Sequence, residues 1–398
     1  MKKVVIVGSG FAGMWAALSA ARISEIHEME DVEVVVIAPQ AELRIRPRFY
    51  EDRVAQTTAP LTELYHETGV NFISGQVGKI NTTENSIDYL DAAGIAQTIT
   101  YDRLILASGS QLRNSMIEGA ELAFNIDQME TAKVFEHHLE TLTAEKPSTA
   151  RNTVIVCGGG LTGIELATEL PHRLSALFGH QTETKVIVVE TNSKIAGQFS
   201  HELSQVISQA SDELKIEWKL NTRVEKITPD GALLSNGEFV PSKTVVLTAG
   251  VQANPLTEQF NTPKDHFGRL MVDENLKVIG TENIFATGDV ASAKCDTEGR
   301  LALMTCQHAI PMGKFAGNNA MSSLVNIASI PYQQPNYVTC IDLGAWGAVY
   351  TETWDQNVKS VRHVAKEIKK SITNQLIYPP AAIKADAFKQ ADPLSPFV

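Results

Sequence analysis

The sequence predicts an α/β protein built twice from one dinucleotide-binding plan, with a smaller α+β segment at its C-terminal end. Three observations predict it. Val4-Val5-Ile6-Val7 runs directly into Gly8-Ser9-Gly10-Phe11-Ala12-Gly13, a buried-strand pattern followed by G-x-G-x-x-G and then by a helical pattern. Val154-Ile155-Val156-Cys157 runs into Gly158-Gly159-Gly160-Leu161-Thr162-Gly163, which is the same order a second time. An internal repeat of this kind is far more specific than either copy alone. Leu104 to Gly109 and Thr244 to Gly250 are hydrophobic strands that end in small residues and glycine, so backbone can pass close to a ligand or cross into another domain.

In the first copy, Gly8 permits the tight turn, Gly10 lets backbone approach a pyrophosphate and Gly13 lets helix pack on strand. The helix start then faces the phosphates with free N–H groups and a partial positive charge. Met14 to Ile23 reads as the first helix and Val32 to Ile37 as a second buried strand. Such a strand should end in an acid that holds the adenosine ribose, but here it ends in Ala38-Pro39. Arg44, Arg46 and Arg48 follow, and either meet a phosphate or the mouth of a site, or lie in solvent. Val70 to Ile80 is a strand, and Ser86 to Thr100 is a hairpin around Ala92-Ala93-Gly94.

Ile126 to Leu142 is a periodic helix that carries His137 and His138 on a solvated face, and Ala144 to Asn152 is a polar linker. After the second glycine turn the helix should end or kink at Pro171. Lys185 to Glu190 is a strand that does end in an acid, and Trp218 to Glu238 reads as a meander. Asn283 to Asp289 (NIFATGD) belongs to neither copy and closes the core, and Leu303 to Gly313 opens another helix. From near Pro331 a third segment begins: paired strands over Tyr337 to Tyr350, an amphipathic helix over Val361 to Ile377 stopped by Pro379-Pro380, and an irregular tail from Ala381.

The chain has 398 residues, too many for one ordinary core, and 43% hydrophobic with 20% charged residues describes a soluble globular protein. A net charge of −12 argues against general nucleic-acid binding. Cys157, Cys295, Cys306 and Cys340 lie far apart with no CxxC, which fits reduced thiols in a cytoplasm better than a disulfide framework or a zinc site, so no metal is expected. Two lysines lead straight into a strand, with no signal peptide, and no apolar run approaches the ~18 residues of a membrane-spanning helix. The expected location is the cytoplasm, with contact at the inner face of the cell membrane left open.

Two dinucleotide turns, two strand-to-glycine crossings and Ala286-Thr287-Gly288-Asp289 make the chain resemble the two-dinucleotide-fold flavoproteins, the superfamily of glutathione reductases, ferredoxin reductases and type II NADH dehydrogenases. The resemblance runs over residues 1–330 and is closest to the type II NADH dehydrogenases. It implies two Rossmann-like domains, an FAD domain at 1–112 and 251–330 with an NADH domain inserted at 113–250, and a C-terminal segment at 331–398 for an interface or membrane docking. By resemblance, Gly8, Ser9, Gly10, Phe11, Ala12 and Gly13 form the FAD pyrophosphate turn, assisted by Arg48. Val77 offers backbone to the adenine, Ser108 and Gly109 lie at the first crossing, and Gly288 and Asp289 meet the ribityl chain.

For the nicotinamide cofactor, the resemblance implies that Gly158, Gly160, Leu161, Thr162 and Gly163 form the second pyrophosphate turn, with Gly250 at the second crossing. Glu190 would take both ribose hydroxyls of NADH. No arginine follows in Glu190-Thr191-Asn192, so NADH is expected over NADPH. Glu165 matches a glutamate placed near the nicotinamide; alternatively it is a first-turn glutamate favoured by the helix dipole. The helix that starts with Cys306, Gln307 and His308 would point its N-terminus at the flavin pyrimidine, where it stabilises the anion formed by hydride. Gln307 aligns with the quinone-site glutamine of type II NADH dehydrogenases, although Pro311 and Met312 stand where a second one is usual.

Residues 38–60 contain no cysteine, whereas disulfide reductases of this superfamily need a pair there, and thiol exchange needs an attacking thiolate. Cys306 and Cys340 could come near the flavin, but the reading preferred for them is buried apolar thiols. What remains is direct transfer: hydride from NADH to FAD, then electrons to an external acceptor, a quinone or a small carrier protein. The acceptor-neutral alternatives are a soluble NADH-dependent reductase of a ferredoxin- or rubredoxin-type carrier, and a redox-sensing flavoprotein resembling apoptosis-inducing factor. Val361, Val364, Ile368, Ile372 and Leu376 share one helical face among Arg362, Lys366, Lys369 and Lys370. Such a basic amphipathic stretch over residues 361–380 either docks on an anionic membrane or covers the FAD or homodimer face.

Overall fold

A computed structural model describes residues 1–113 and 116–395. The apolar run Val4–Val7 is buried on both faces because Lys2–Val7 lies near the centre of a seven-stranded sheet. Its parallel neighbours are Val32–Ala38, with Val5 opposite Val35, and Arg103–Leu106, with Val5 opposite Leu104. Ile284–Ala286 adds outside Arg103–Leu106. On the other side Asn71–Asn81 pairs parallel with Val32–Ala38, then turns into the antiparallel strands Ser86–Asp91 and Ala96–Thr100.

The second sheet repeats this order. Thr153–Cys157 lies between Lys185–Val189 and Thr244–Leu247, with Glu217–Lys219 beyond the first and Phe124–Asn125 beyond the second, all parallel. Its strands fall between Arg103–Leu106 and Ile284–Ala286 of the first sheet, so the second unit is inserted into the first. The two crossings meet each other: Ser110–Leu112 pairs antiparallel with Val251–Ala253, with Gln111 opposite Gln252.

The helices Phe11–Ile26 and Cys306–Ser322 cross at backbone contact. A Cβ on Gly313 would lie 2.4 Å from the Ala12 carbonyl oxygen, and one on Gly317 would lie 2.0 Å from that of Ala16. This close crossing brings the start of Cys306–Ser322 against the first glycine turn. Among the described residues no helix is long and apolar enough to cross a membrane.

Several local expectations are corrected. The helix expected from Ile126 starts at Met129. His138 is not solvated: it bonds Thr244 Oγ1 at 2.9 Å and stacks on Phe124. Pro171 lies inside Leu161–Phe178 without ending it, because Leu170 and Leu174 are buried on either side and the Arg173 guanidinium donates to the Tyr50 carbonyl at 2.9 Å. That packing outweighs one missing backbone bond. Trp218 belongs to the parallel sheet, and the meander is Val224–Thr228, Gly231–Leu234 and Phe239–Pro241.

In the C-terminal segment, Val338–Asp342, Ala348–Glu352 and Asn357–Val361 form an antiparallel sheet. Val361 therefore ends a strand opposite Val349, and the helix runs over Arg362–Ser371, with a wider turn at Ile372–Leu376. The tail is not irregular from Ala381: Lys384–Gln390 is a helix with Ala387 buried, fastened by Lys384 to Glu25 at 2.6 Å and by Arg22 to Asp392.

Candidate functional site

One cleft of about 1280 Å³ runs between the two units. It is walled by the first glycine turn, the first crossing, Thr287–Asp289, the start of the helix Cys306–Ser322, and the C-terminal segment. Leu161, Thr162 and Glu165 close it from the second unit. Single small-molecule sites occupy roughly 300–1,000 Å³, so the cleft has room for an extended ligand and a second group meeting it.

The two glycine turns have nearly the same geometry. Gly8 has φ +110° and Gly158 has φ +113°, a region glycine alone visits freely. A Cβ on Gly13 would lie 2.0 Å from the Gly8 carbonyl oxygen, and one on Gly163 would lie 1.9 Å from that of Gly158. The outer glycines are thus required by the protein's own backbone. The middle ones are not: a Cβ on Gly10 or Gly160 meets nothing within 4 Å. The open space beside them fits close approach by a phosphate group. Gly8, Ser9, Gly10, Phe11 and Ala12 line the cleft, whereas Gly13 lies beneath it. Gly158, Gly160 and Gly163 lie outside it, beyond Leu161 and Thr162.

Val77, Ser108, Gly109, Gly288 and Asp289 line the cleft, and Gly250 does not; its carbonyl accepts the Arg113 N–H at 2.7 Å in the ribbon between the units. Gly288 has φ +67°, which turns Asp289 towards the cleft. Asp289 Oδ2 accepts from Ser110 Oγ at 2.6 Å, and Arg46 donates to the same hydroxyl at 2.6 Å while pairing with Asp127. Arg46 is therefore at the cleft, as is Arg44. Arg48 turns away, forking onto Glu51 at 2.7 Å and reaching the Tyr378 hydroxyl at 3.1 Å.

At the end of Val32–Ala38 no acid replaces Ala38; Gln40 and Glu42 line the cleft there, and Ser9 Oγ donates to the Gln40 carbonyl at 3.0 Å. In the second unit the corresponding acid is present. Glu190 accepts from Gly159 N at 2.6 Å and from Asn192 N at 2.8 Å, so its carboxylate sits across the glycine turn.

Thr305 caps the helix Cys306–Ser322, and Met304 to Gln307 line the cleft. The partial positive charge of that helix start is presented to whatever occupies it. The Gln307 amide pairs with backbone, donating to the Val338 carbonyl at 2.8 Å and accepting from Val338 N at 3.2 Å. It thereby ties the C-terminal sheet to the cleft wall. His308 is fully buried, stacked beside Tyr337, and does not line the cleft. Burial, with Arg269 adding to it, pushes its imidazole down to about 4, so it is neutral at pH 7.

Glu165 is buried and lines the cleft. Its Oε1 accepts from Lys369 Nζ at 2.6 Å and from Asp342 N at 3.1 Å. Burial works against the Lys369 charge, but Glu165 outweighs it and the ammonium is held protonated. Lys369 also lines the cleft, so a residue expected on a solvated basic face is an internal partner of the site. Tyr50 and Asp342 were missed altogether; they are joined by a 3.1 Å hydrogen bond.

Cys306 and Cys340 line the cleft, and Cys157 and Cys295 lie elsewhere; all four are free. Burial pushes Cys306 up to about 11 and Cys340 up to about 12, so both are thiols rather than thiolates at pH 7.

A family profile described as Pyridine nucleotide-disulphide oxidoreductase matches residues 2–313. The chain is 39% identical to an NADH dehydrogenase-like protein of Mycobacterium tuberculosis, over 99% of this chain and 98% of that one. It is 25% identical to the type II NADH:quinone oxidoreductase of Staphylococcus saprophyticus, over 87% of this chain and 89% of that one. Its fold is similar to that of NDH2 from Plasmodium falciparum, solved in complex with NADH, with a TM-score of 0.76 at 16% identity over 98% of this chain and 97% of that one.

Proposed function

The chain belongs to the pyridine nucleotide-disulphide oxidoreductase family, and from that premise we propose that it is an FAD-dependent NADH oxidoreductase that reduces a quinone. The observation that carries the reading is the pair of glycine turns with open space at Gly10 and Gly160, the first lining the cleft and the second lying just beyond Leu161 and Thr162, which line it. The backbone of Gly8 to Ala12 would hold the FAD pyrophosphate, the Val77 backbone its adenine and Asp289 its ribityl chain. Gln40 and Glu42 are left to meet the ribose that Ala38 does not hold. A bound flavin supplies the two-electron relay between nicotinamide and acceptor. The helix start at Cys306 sets a partial positive charge at one end of the cleft, and the buried walls exclude water around it. Relatives that act on quinones favour a quinone over a carrier protein as acceptor.

Glu190 favours NADH, because its carboxylate would face a 2′-phosphate with like charge. Such a contact costs several kcal/mol, so kcat/KM for NADH should exceed that for NADPH by at least ~100-fold. Glu190→Ala should narrow the ratio at least ~10-fold. Steady-state rates with each nucleotide against a soluble quinone and a carrier protein test both halves of the reading. Preference for NADPH, or turnover with the carrier alone, would contradict it.

The helix Arg362–Ser371 supports peripheral membrane contact by a different route from the one its composition suggests. Arg362, Lys366, Lys369 and Lys370 all pair with acids, at 2.6, 2.5, 2.6 and 2.8 Å. Beside exposed polar residues such as His363, Glu367 and Lys370, two apolar side chains face outward, Val364 63% and Leu376 41% exposed. Docking would then be apolar rather than electrostatic. Co-sedimentation should be similar with neutral and anionic vesicles and should drop sharply in Val364→Glu/Leu376→Glu; unaltered binding in that variant would rule this face out.

A further inference from the structure

Between the helix Leu161–Phe178 and the C-terminal sheet lies a cluster of charged side chains for which hydride transfer has no use. We propose that Asp342 and Tyr50, reached from solvent through Lys366 and Glu169, form the route by which a proton enters the cleft when the acceptor is reduced. The proposal rests on the quinone reading above. NADH gives up one hydride, whereas a quinone becomes a hydroquinone by gaining two electrons and two protons. One proton beyond the hydride must therefore come from water for each turnover.

The contacts are continuous from outside to inside. Lys366 Nζ, on a side chain 23% exposed, donates to Asp342 Oδ1 at 2.5 Å. Asp342 Oδ2 accepts from Tyr50 Oη at 3.1 Å, and Tyr50 lines the cleft. The Asp342 N–H meets Glu165 at 3.1 Å, which places the Glu165–Lys369 pair beside the inner end. Glu169 follows Glu165 by one helical turn, on the outer side, and is only partly buried. The charges of Asp342, Lys366, Arg173 and Glu51 act on it; burial and then Asp342 raise its carboxyl to about 7. A group poised there both takes and gives a proton at working pH. Tyr50 is buried, its backbone fixed by Arg173, and burial holds its phenol protonated. An acid and a cation that merely paired would not need a phenol between them and the cleft.

The step balances. The Tyr50 O–H bond breaks as an O–H bond forms on the acceptor; Lys366 or Glu169 passes a proton to the Asp342 carboxylate, which hands it on to the Tyr50 oxygen, and the Lys366 or Glu169 that gave it is reprotonated from water. Every residue ends in its starting charge state, and one proton has entered.

The test compares two acceptors on the holoenzyme, a soluble quinone and ferricyanide, which takes electrons without protons. Tyr50→Phe, which keeps the ring, and Asp342→Asn should lower quinone turnover ~10²-fold and leave ferricyanide turnover unchanged. Glu169→Gln should move the pH profile of quinone turnover. In the resting protein, without NADH or acceptor, it should also remove an infrared carboxyl titration near pH 7. Loss of both acceptor activities together would make the cluster structural and overturn the route. Quinone turnover that is normal in Tyr50→Phe and Glu169→Gln would overturn it as well. An unaltered protein that reduces ferricyanide and no quinone would instead overturn the acceptor reading, and the route with it.

Discussion

Gly10→Val is expected to give a folded protein that has lost its flavin. Gly10 has φ −69° and ψ −171°, extended backbone that valine adopts readily. A Cβ there meets no protein atom within 4 Å, so the native chain accepts the side chain and only the ligand's approach is closed. Flavin affinity should fall at least ~100-fold, about 2.7 kcal/mol, with the melting temperature of the flavin-free protein unchanged. Gly13→Val is the contrasting case. Its Cβ would lie 2.0 Å from the Gly8 carbonyl oxygen, an overlap with backbone that cannot move aside, costing at least ~1–3 kcal/mol. That variant should melt lower with or without flavin. Flavin content and melting temperature, measured on both, separate the two effects; full flavin content in Gly10→Val would remove the first turn from the cofactor site.

The second large effect concerns Glu165 and Lys369. Removing one partner of a buried pair leaves an uncompensated charge and costs ~3–5 kcal/mol. Lys369→Met should destabilise by that amount, and adding Glu165→Gln should recover most of the loss. The pH dependence has a definite sign. Burial raises the Glu165 carboxyl, and Lys369 opposes that rise. In Lys369→Met the opposition is gone, so the folded-state pKa stands above the unfolded value of ~4.3. The deficit should then be small below that value and grow as pH rises through the folded pKa. Denaturation midpoints across that range check it; a deficit that shrinks as pH rises would contradict the assignment.

What the sequence made legible was local. Glycine spacing and uninterrupted Val/Ile runs are set by the turn and by burial on both faces, and each can be read within about ten residues. The repeat made two units of one plan legible too, because four adjacent strands of each sheet share one order; the insertion of one unit in the other was read from the family resemblance. What it hid depended on distant partners. Lys369 sits at helical spacing among basic residues, yet its direction is set by an acid 204 positions away. Arg46 and Arg48 are two residues apart in one short turn, and only the placement of Asp127, Ser110 and Glu51 decides which faces the cleft. Gln307 has the right position for a site residue, but Val338 backbone takes up its amide. His308 was drawn into the expected site by its neighbours, whereas the helix turns it into the core. Val361 carries a helical apolar period and is nevertheless held in a strand by Val349.

The central claim is that two dinucleotides meet in the cleft between the units, so that NADH reduces the flavin directly and without a thiol intermediate. Anaerobic addition of one equivalent of NADH to the purified flavoprotein tests it most directly, with the oxidised-flavin absorption band as the readout. The expected result is stoichiometric bleaching that persists after all thiols are alkylated under denaturant-free conditions. A flavin that stays oxidised in the presence of NADH would contradict the claim.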